Sequence, residues 1–145
     1  GEGIHRFDNN NFDPATIEKY LHLPIMVQKY INEIDQGDRR LIIIDGEYCG
    51  SVARIPKDGD LKANFHAGGI PRKTGLVFRD KKIIEAVGPL LKENNLFFVG
   101  IDIIGDFLTE INVTSPTGIK QINKLNKVNL EKIFWDKLEA KYKLV

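Results

Sequence analysis

No stretch of this chain restricts its architecture more than Val99–Gly118, which reads V-G-I-D-I-I-G-D-F-L-T-E-I-N-V-T-S-P-T-G. Apolar and polar residues alternate on both sides of the Gly105-Asp106 pair. That is the pattern of two half-buried strands joined by a tight turn. Residues i and i+2 of a strand share a face, so Glu110 and Asn112 aim two oxygen-bearing side chains at one spot. Hard oxygen donors on a rigid strand suit Mg²⁺, which takes few protein ligands and relies on substrate phosphates for the rest. The pattern therefore points to nucleotide-dependent chemistry.

The register of this hairpin decides the size of the site. If Gly105-Asp106 is a plain two-residue turn, Asp102 pairs with Thr109 and faces away from Glu110. A three-residue turn or a bulge sets Asp102 beside Glu110 instead. One residue of slip thus separates a site with two carboxylates from a site with one.

The remaining chain supplies an α+β frame. Asp13-Pro14 opens a short helix, with Asp13 as N-cap and Ile17, Tyr20 and Leu21 as its apolar stripe; Pro24 ends it. Ile25–Ile31 alternates as a strand, and Asn32–Asp38 is a polar loop. Arg40–Asp45 and Glu47–Ile55 form a strand pair around Asp45-Gly46, a strong hairpin signal. Pro56–Thr74 has no sustained periodicity and reads as one long loop, a length that is usually functional. Arg79–Asn95 is an amphipathic helix on Ile83, Ile84, Val87, Leu90 and Leu91, kinked or divided by Gly88-Pro89. A short helix follows Pro116, and a last one starts at the N-cap Asn129, with Leu130, Ile133, Phe134 and Leu138 inward. The class is α+β: an antiparallel sheet flanked by helices.

Charge and cysteine usage narrow the partners. Lys plus Arg (21) nearly balances Asp plus Glu (20), so no general attraction to nucleic acid or membrane is implied. Apolar runs are too short to span a bilayer. The single cysteine, Cys49, excludes an internal disulfide and fits a reducing, cytoplasmic setting. It sits in a strand and reads as a small buried hydrophobe.

Other candidates each have a plainer alternative. Gly1-Glu2-Gly3 reads as the end of a glycine loop whose amides approach phosphates, or as an ordinary turn. Arg54, at the end of V-A-R-I-P, can meet a phosphoryl group with its planar fork, or be a surface arginine. Lys62, Asn64 and Gly68-Gly69 in the adjoining loop favour the first, as a lid that excludes water. Asp38 and Arg40 hold a ribose hydroxyl and a substrate carboxylate, or form a surface ion pair with each other. His5, His22 and His66 share no metal-ligand spacing.

The order of G-D-R-R-L-I-I-I-D-G-E, A-R-I-P, A-G-G and F-V-G-I-D-I-I-G-D-F-L-T-E-I-N-V-T-S-P-T closely resembles the bacterial-type glutathione synthetases, which are ATP-grasp ligases. The similarity runs from about Gly1 to Gly118. It implies that residues 1–145 form the C-terminal lobe of an ATP-grasp domain. The N-terminal substrate domain and the upstream ATP-binding segments would lie outside the chain, and the 145-residue piece alone is expected to lack ligase activity.

The resemblance also implies the reaction. ATP and Mg²⁺ (Mn²⁺ as the alternative ion) activate the cysteinyl carboxylate of γ-glutamylcysteine as an acyl phosphate. Glycine then attacks, forming glutathione, ADP and phosphate. Carried over by position, Glu110 and Asn112 match the metal ligands, with Asp102 beside them. Gln28, Lys29, Tyr30 and Ile31 match the adenine segment, Asp38 lies near the ribose, and Gly1 and Gly3 belong to the small glycine loop. Arg54, Lys62 and Asn64 match positions at the reacting phosphate. Arg40, Gly68, Gly69 and Ser115 match substrate-binding positions, and Ile55–Ile70 matches the lid. A homo-oligomer, a tetramer as in relatives, is implied too. Departures fall on Lys62 and Ile70, where relatives carry Arg, on Lys29, and on Gly118, which replaces a Cys. They touch dipeptide recognition more than the metal pair. A different carboxylate–amine ligase, or a non-catalytic ATP-binding or oligomerisation module on this fold, are the competing readings.

Overall fold

The computed structural model describes residues 5–8, 12–57, 65 and 68–143. The chain divides into two compact units, residues 1–32 and 33–145.

In the first unit, helix α1 (Pro14–Glu18) starts as its sequence predicts. Asp13 accepts the Ala15 N–H at 3.0 Å and the Thr16 hydroxyl at 3.2 Å, satisfying a donor that the first turn leaves open. The Arg6 guanidinium lies 3.9 Å from the centre of the Tyr30 ring. The strand expected over Ile25–Ile31 is not formed. Alternation prepares a strand, but a strand also needs a neighbour's N–H and C=O groups. Among the described residues none pairs with this segment, and Met26 and Val27 stand 80% and 84% exposed.

The second unit is built on five antiparallel strands in the order β3-β2-β1-β4-β5. They are β1 (Asp38–Ile44), β2 (Glu47–Ile55), β3 (Ile70–Lys73), β4 (Phe98–Ile104) and β5 (Phe107–Asn112). Helices α2 (Phe78–Glu93), α3 (Ile119–Asn126) and α4 (Leu130–Tyr142) cover the sheet. Leu41, Ile43, Val99, Ile101 and Ile103 pack with Leu91, Ile83 and Ile84 of α2. Ile42, Ile44 and Val52 pack with Ile122, Leu130 and Phe134 of α3 and α4. Both faces of the central strands are thus buried. This is why L-I-I-I in β1 is an unbroken apolar run, whereas a half-exposed strand would alternate.

The Asp45-Gly46 turn has φ of 51° and 74°, the left-handed pair that matches strand twist in a two-residue hairpin. Helix α2 lies so close to it that a Cβ on Gly88 would meet the Gly46 carbonyl oxygen at 2.9 Å. The helix runs unbroken through Gly88-Pro89, so the expected division does not occur. Proline removes one intrahelical bond, to the carbonyl of Glu85, and both residues are on the exposed side where water can serve it. Leu90, expected inside, is 51% exposed.

The supposed long loop at Pro56–Thr74 contains β3, whose four residues are all exposed. As an edge strand carrying Pro71 it has neither burial periodicity nor a full set of donors, so its pattern is silent. Asn129 caps α4, accepting the Lys132 N–H at 2.9 Å. Asn129→Ala is expected to cost about 1 kcal/mol in denaturant titration. A change below a few tenths would mean that the Leu130 N–H bond to Asn123, at 2.9 Å, holds the helix start instead.

Candidate functional site

Even-numbered positions of β1 and β4 point to the α3–α4 face of the sheet, and at one end of that face the apolar core gives way to charge. Asp38 and Arg40 come from β1, Arg54 from β2, Asp102 from β4, and Glu110 and Asn112 from β5. Register aligns them: Asp38 opposite Arg54, Arg40 opposite Asp102, and Asp102 opposite Glu110.

The last pairing depends on a bulge. Gly105-Asp106 is a two-residue turn, since Ile104 pairs with Phe107, yet the register shifts between Asp102 and Ile103. Thr109 is the extra residue, and its hydroxyl donates to the Asp102 carbonyl at 3.1 Å. The shift moves Glu110 onto the face of Asp102, with Asn112 two residues on. The turn is anchored from behind: Arg39 bonds the Gly105 carbonyl at 2.8 Å and pairs with buried Asp80 of α2 at 2.7 Å.

Asp102 is the hub, only 3% exposed. Arg40 grips it with two parallel bonds, Nε to Oδ1 at 2.6 Å and Nη2 to Oδ2 at 2.7 Å. Arg54 Nη2 lies 2.9 Å from the same Oδ2, and Asn112 Nδ2 donates to it at 3.4 Å. Arg40 also donates from Nη1 to the Thr117 carbonyl at 3.2 Å and its hydroxyl at 3.3 Å. Arg54 donates Nε to Asp38 Oδ1 at 2.7 Å and Nη2 to Asp38 Oδ2. Asp38 and Arg40 are therefore not a surface ion pair: both are buried, and each finds its partner on a neighbouring strand.

The two facing carboxyls are driven apart. Burial raises the Asp102 pKa, but the Arg40 hydrogen bond and the Arg54 and Arg40 charges outweigh it and hold the group below the ordinary aspartate range. Glu110, exposed as a residue but with its carboxyl partly covered, is pushed up first by that partial burial and then by its hydrogen bond to Asp102 and that group's charge. Asp38 is raised by burial, which outweighs Arg54.

Glu110 and Asn112 lie on the edge strand, Glu110 exposed and Asn112 half-buried. An amide that donates through Nδ2 keeps Oδ1 for another partner. The donor set is thus one carboxylate and one amide oxygen, backed by a second carboxylate. Among the described residues no group of three His, Cys, Asp or Glu forms a self-sufficient metal cage. The set fits a hard cation that completes its shell with phosphate and water, and does not fit a soft transition metal.

The other candidates are not part of this hydrogen-bonded cluster. Ser115 is exposed, next to Pro116, which is buried; a Cβ on Gly100 would lie 2.8 Å from the Pro116 Cβ. Gly118 has φ +112°, a backbone that favours glycine. A cleft of about 420 Å³ runs between Phe65 and the Pro116–Gln121 head of α3. Gly68 turns at φ +87° and its N–H bonds the Phe65 carbonyl at 3.1 Å; Gly69 is buried. Gln28, Lys29, Tyr30 and Ile31 belong to the first unit, where Gln28 and Lys29 are exposed and the Tyr30 hydroxyl is buried without a hydrogen-bond partner among the described residues. Gly1, Gly3, Lys62, Asn64 and His66 lie outside the described residues. Sequence reasoning missed two participants, Thr117 against Arg40 and Phe65, whose ring centre lies 5.7 Å from the Arg54 guanidinium carbon. Thr117 stands inside the T-S-P-T motif; Phe65, in an aperiodic stretch, carries no local signal.

Residues 1–127 match the family described as prokaryotic glutathione synthetase, ATP-grasp domain. The chain is 45% identical over 145 residues to a glutathione synthetase of Brucella melitensis, covering 97% of this chain and 46% of that protein. It is 43% identical over 137 residues to one of Agrobacterium fabrum (92% and 43%). One of Synechococcus elongatus is 47% identical over 135 residues (90% and 42%). The chain thus spans less than half the length of these relatives. No helix among the described residues is long and apolar enough to cross a membrane.

Proposed function

The chain belongs to the prokaryotic glutathione synthetase family, and we propose that it is the part of such an ATP-dependent ligase that holds the metal and the transferring phosphoryl group. In this reading residues 1–145 are the C-terminal lobe of the ATP-grasp domain. The observation that carries it is the bulge at Thr109, which brings Glu110 beside Asp102 with Asn112 on the same face. A stability-driven hairpin has no need to put two carboxylates against each other, since like charges directly opposite are unfavourable.

Glu110 and Asn112 would hold Mg²⁺ (or Mn²⁺) through their oxygens, with Asp102 next to them. When bound, the ion neutralises phosphate charge and orients the terminal phosphoryl group. Asp102 holds two arginines in place inside the protein. Arg54, clamped between Asp38 and Asp102, would bring a fixed positive charge to the phosphoryl end of the site. A carboxylate is a poor electrophile until activated, so the dipeptide carboxylate is phosphorylated before the glycine amine attacks. The cleft between Phe65 and the head of α3, beside Ser115, is where the acceptor would sit. Lys62 and Asn64 in the lid, and Gly1 and Gly3, would close on the phosphates; Gln28–Ile31 would hold adenine.

The test is ADP release by the full-length polypeptide that contains this segment, given Mg²⁺, ATP, γ-glutamylcysteine and glycine, with each omitted in turn. Turnover that requires all four is the expected result. Turnover with a different acid or amine keeps the ligase and discards the substrate. Nucleotide binding without turnover for any acid–amine pair overturns the proposal in favour of a binding module.

A further inference from the structure

Two consecutive arginines of β1 reach the β4–β5 hairpin from opposite faces of the sheet. Arg40 takes Asp102 on the site face, and Arg39, turned to the α2 face, takes the turn. A single nitrogen carries the second contact: Arg39 Nη2 donates to the Gly105 carbonyl at 2.8 Å and to Asp80 Oδ1 at 2.7 Å. Asp80 is fully buried. It also accepts Arg39 Nε at 3.2 and 3.1 Å and the Val77 N–H at 3.1 Å. The start of α2 and the hairpin turn are thus joined through one guanidinium. The next carbonyl of the turn, that of Asp106, accepts Arg79 Nε at 3.1 Å. Gly105 itself has φ +55°, and a Cβ there would lie 3.1 Å from Glu33 Cγ.

Strand β5 needs such a hold. It is an edge strand that pairs with β4 alone, and each of its side chains is half-buried or exposed. Its ladder is also interrupted by the bulge, which falls between the turn and Glu110. One neighbour, little burial and a broken ladder leave the strand few restraints of its own.

We infer that Arg39 is a positioning residue for the cation site. By tying the Gly105 turn to Asp80 of α2, it holds β5 so that Glu110 and Asn112 keep their place beside Asp102. It does so from the opposite face of the sheet, with no contact to the ion. This rests on the metal-holding reading above. Groups that orient the ligands of an ion typically change its affinity about 10–100-fold when removed. Arg39 acts one step further back, through the turn, so the low end of that range is expected.

The test uses the full-length protein with Arg39→Met, Arg39→Lys, and Arg39→Met combined with Asp80→Asn. Arg39→Met is expected to raise the Mg²⁺ concentration for half-maximal turnover about tenfold, while kcat at saturating Mg²⁺ stays within about threefold. The Mn²⁺ dissociation constant, read by EPR with ADP present, should rise by the same factor of about ten. Arg39→Lys should stay within about twofold of wild type, because one ammonium can stand where Nη2 bridges Gly105 and Asp80. In the ligand-free protein, amides 107–112 should exchange hydrogen about tenfold faster in Arg39→Met, with β1 and β2 unchanged. If Arg39→Met does not fold because Asp80 has lost its partner, the double variant decides. It removes the ion pair as a whole along with the turn contact, and should still bind Mn²⁺ about tenfold more weakly. Lower stability with unchanged Mn²⁺ affinity would make Arg39 a structural residue alone and overturn the inference. An equal loss in Arg39→Lys, or unchanged exchange in β5, would overturn it as well. Wild type that binds Mn²⁺ but turns over no acid–amine pair would remove the ligase reading, while the EPR and exchange arms still judge the clamp. Absence of Mn²⁺ binding by wild type would overturn the inference together with the cation site.

Discussion

Asp102→Ala is expected to cost about 3–5 kcal/mol of stability, the range for removing one partner from a buried ionic cluster. Arg40 and Arg54 are 5% and 2% exposed, so neither can turn to water when the carboxylate goes. Arg54 would keep Asp38, but among the described residues Arg40 would keep only the carbonyl and hydroxyl of Thr117. Chemical denaturation of wild type and variant measures the difference, and a loss below about 1 kcal/mol would mean that the arginines find solvent after all. The pH dependence has a fixed sign. Asp102 is held below its ordinary value of 3.8, so its contribution is complete above that value and fades as pH falls through the lowered one. The gap between wild type and variant should therefore hold through the neutral range and close only in acid.

Glu110→Gln is expected to do the reverse, leaving stability within about 0.5 kcal/mol of wild type while lowering ligase turnover by about 10²–10³-fold. Glu110 titrates above its ordinary value of 4.5, because burial and Asp102 disfavour its charge. A carboxyl raised in this way weakens the fold at neutral pH and ceases to do so as pH falls through its folded value. A neutral amide of the same shape removes that cost and with it the anionic ligand. The pair of measurements is steady-state turnover of the full-length protein across Mg²⁺ concentrations, and thermal unfolding of both forms. Retained turnover at all Mg²⁺ concentrations would remove Glu110 from the metal site. A large loss of stability would mean that it supports the sheet.

Much of the frame was legible in the chain. Asp45-Gly46 and Gly105-Asp106 announced two hairpins, and both form. Asp13 and Asn129 announced helix starts, and both cap. These signals are local: a turn needs particular φ values and a helix start needs an acceptor, and both are properties of a few adjacent residues. The failures are equally physical. Ile25–Ile31 has strand alternation without a strand, because pairing is supplied from elsewhere. Ile70–Lys73 is a strand without alternation, because an edge position with no burial imposes no period.

The candidate site divides along the same line. Its residue types could be picked from single strands, since Glu110 and Asn112 share a face wherever that strand lies. Their company could not. Sequence adjacency suggested Asp38 with Arg40, whereas the ladders join Asp38 to Arg54 and Arg40 to Asp102. The hairpin alone left two registers for Asp102, and the bulge at Thr109 selected one while Arg39, Asp80 and Gly105 held the turn from the opposite face. What the amino-acid order determined by itself is what a turn of chain encodes: the hairpin turns, the helix starts and the identity of the polar groups. Which of those groups meet was left to the strand order β2-β1-β4-β5. Contacts across a sheet depend on neighbours some 16 and 62 residues away, for Arg54 with Asp38 and Arg40 with Asp102, and no local periodicity carries that information.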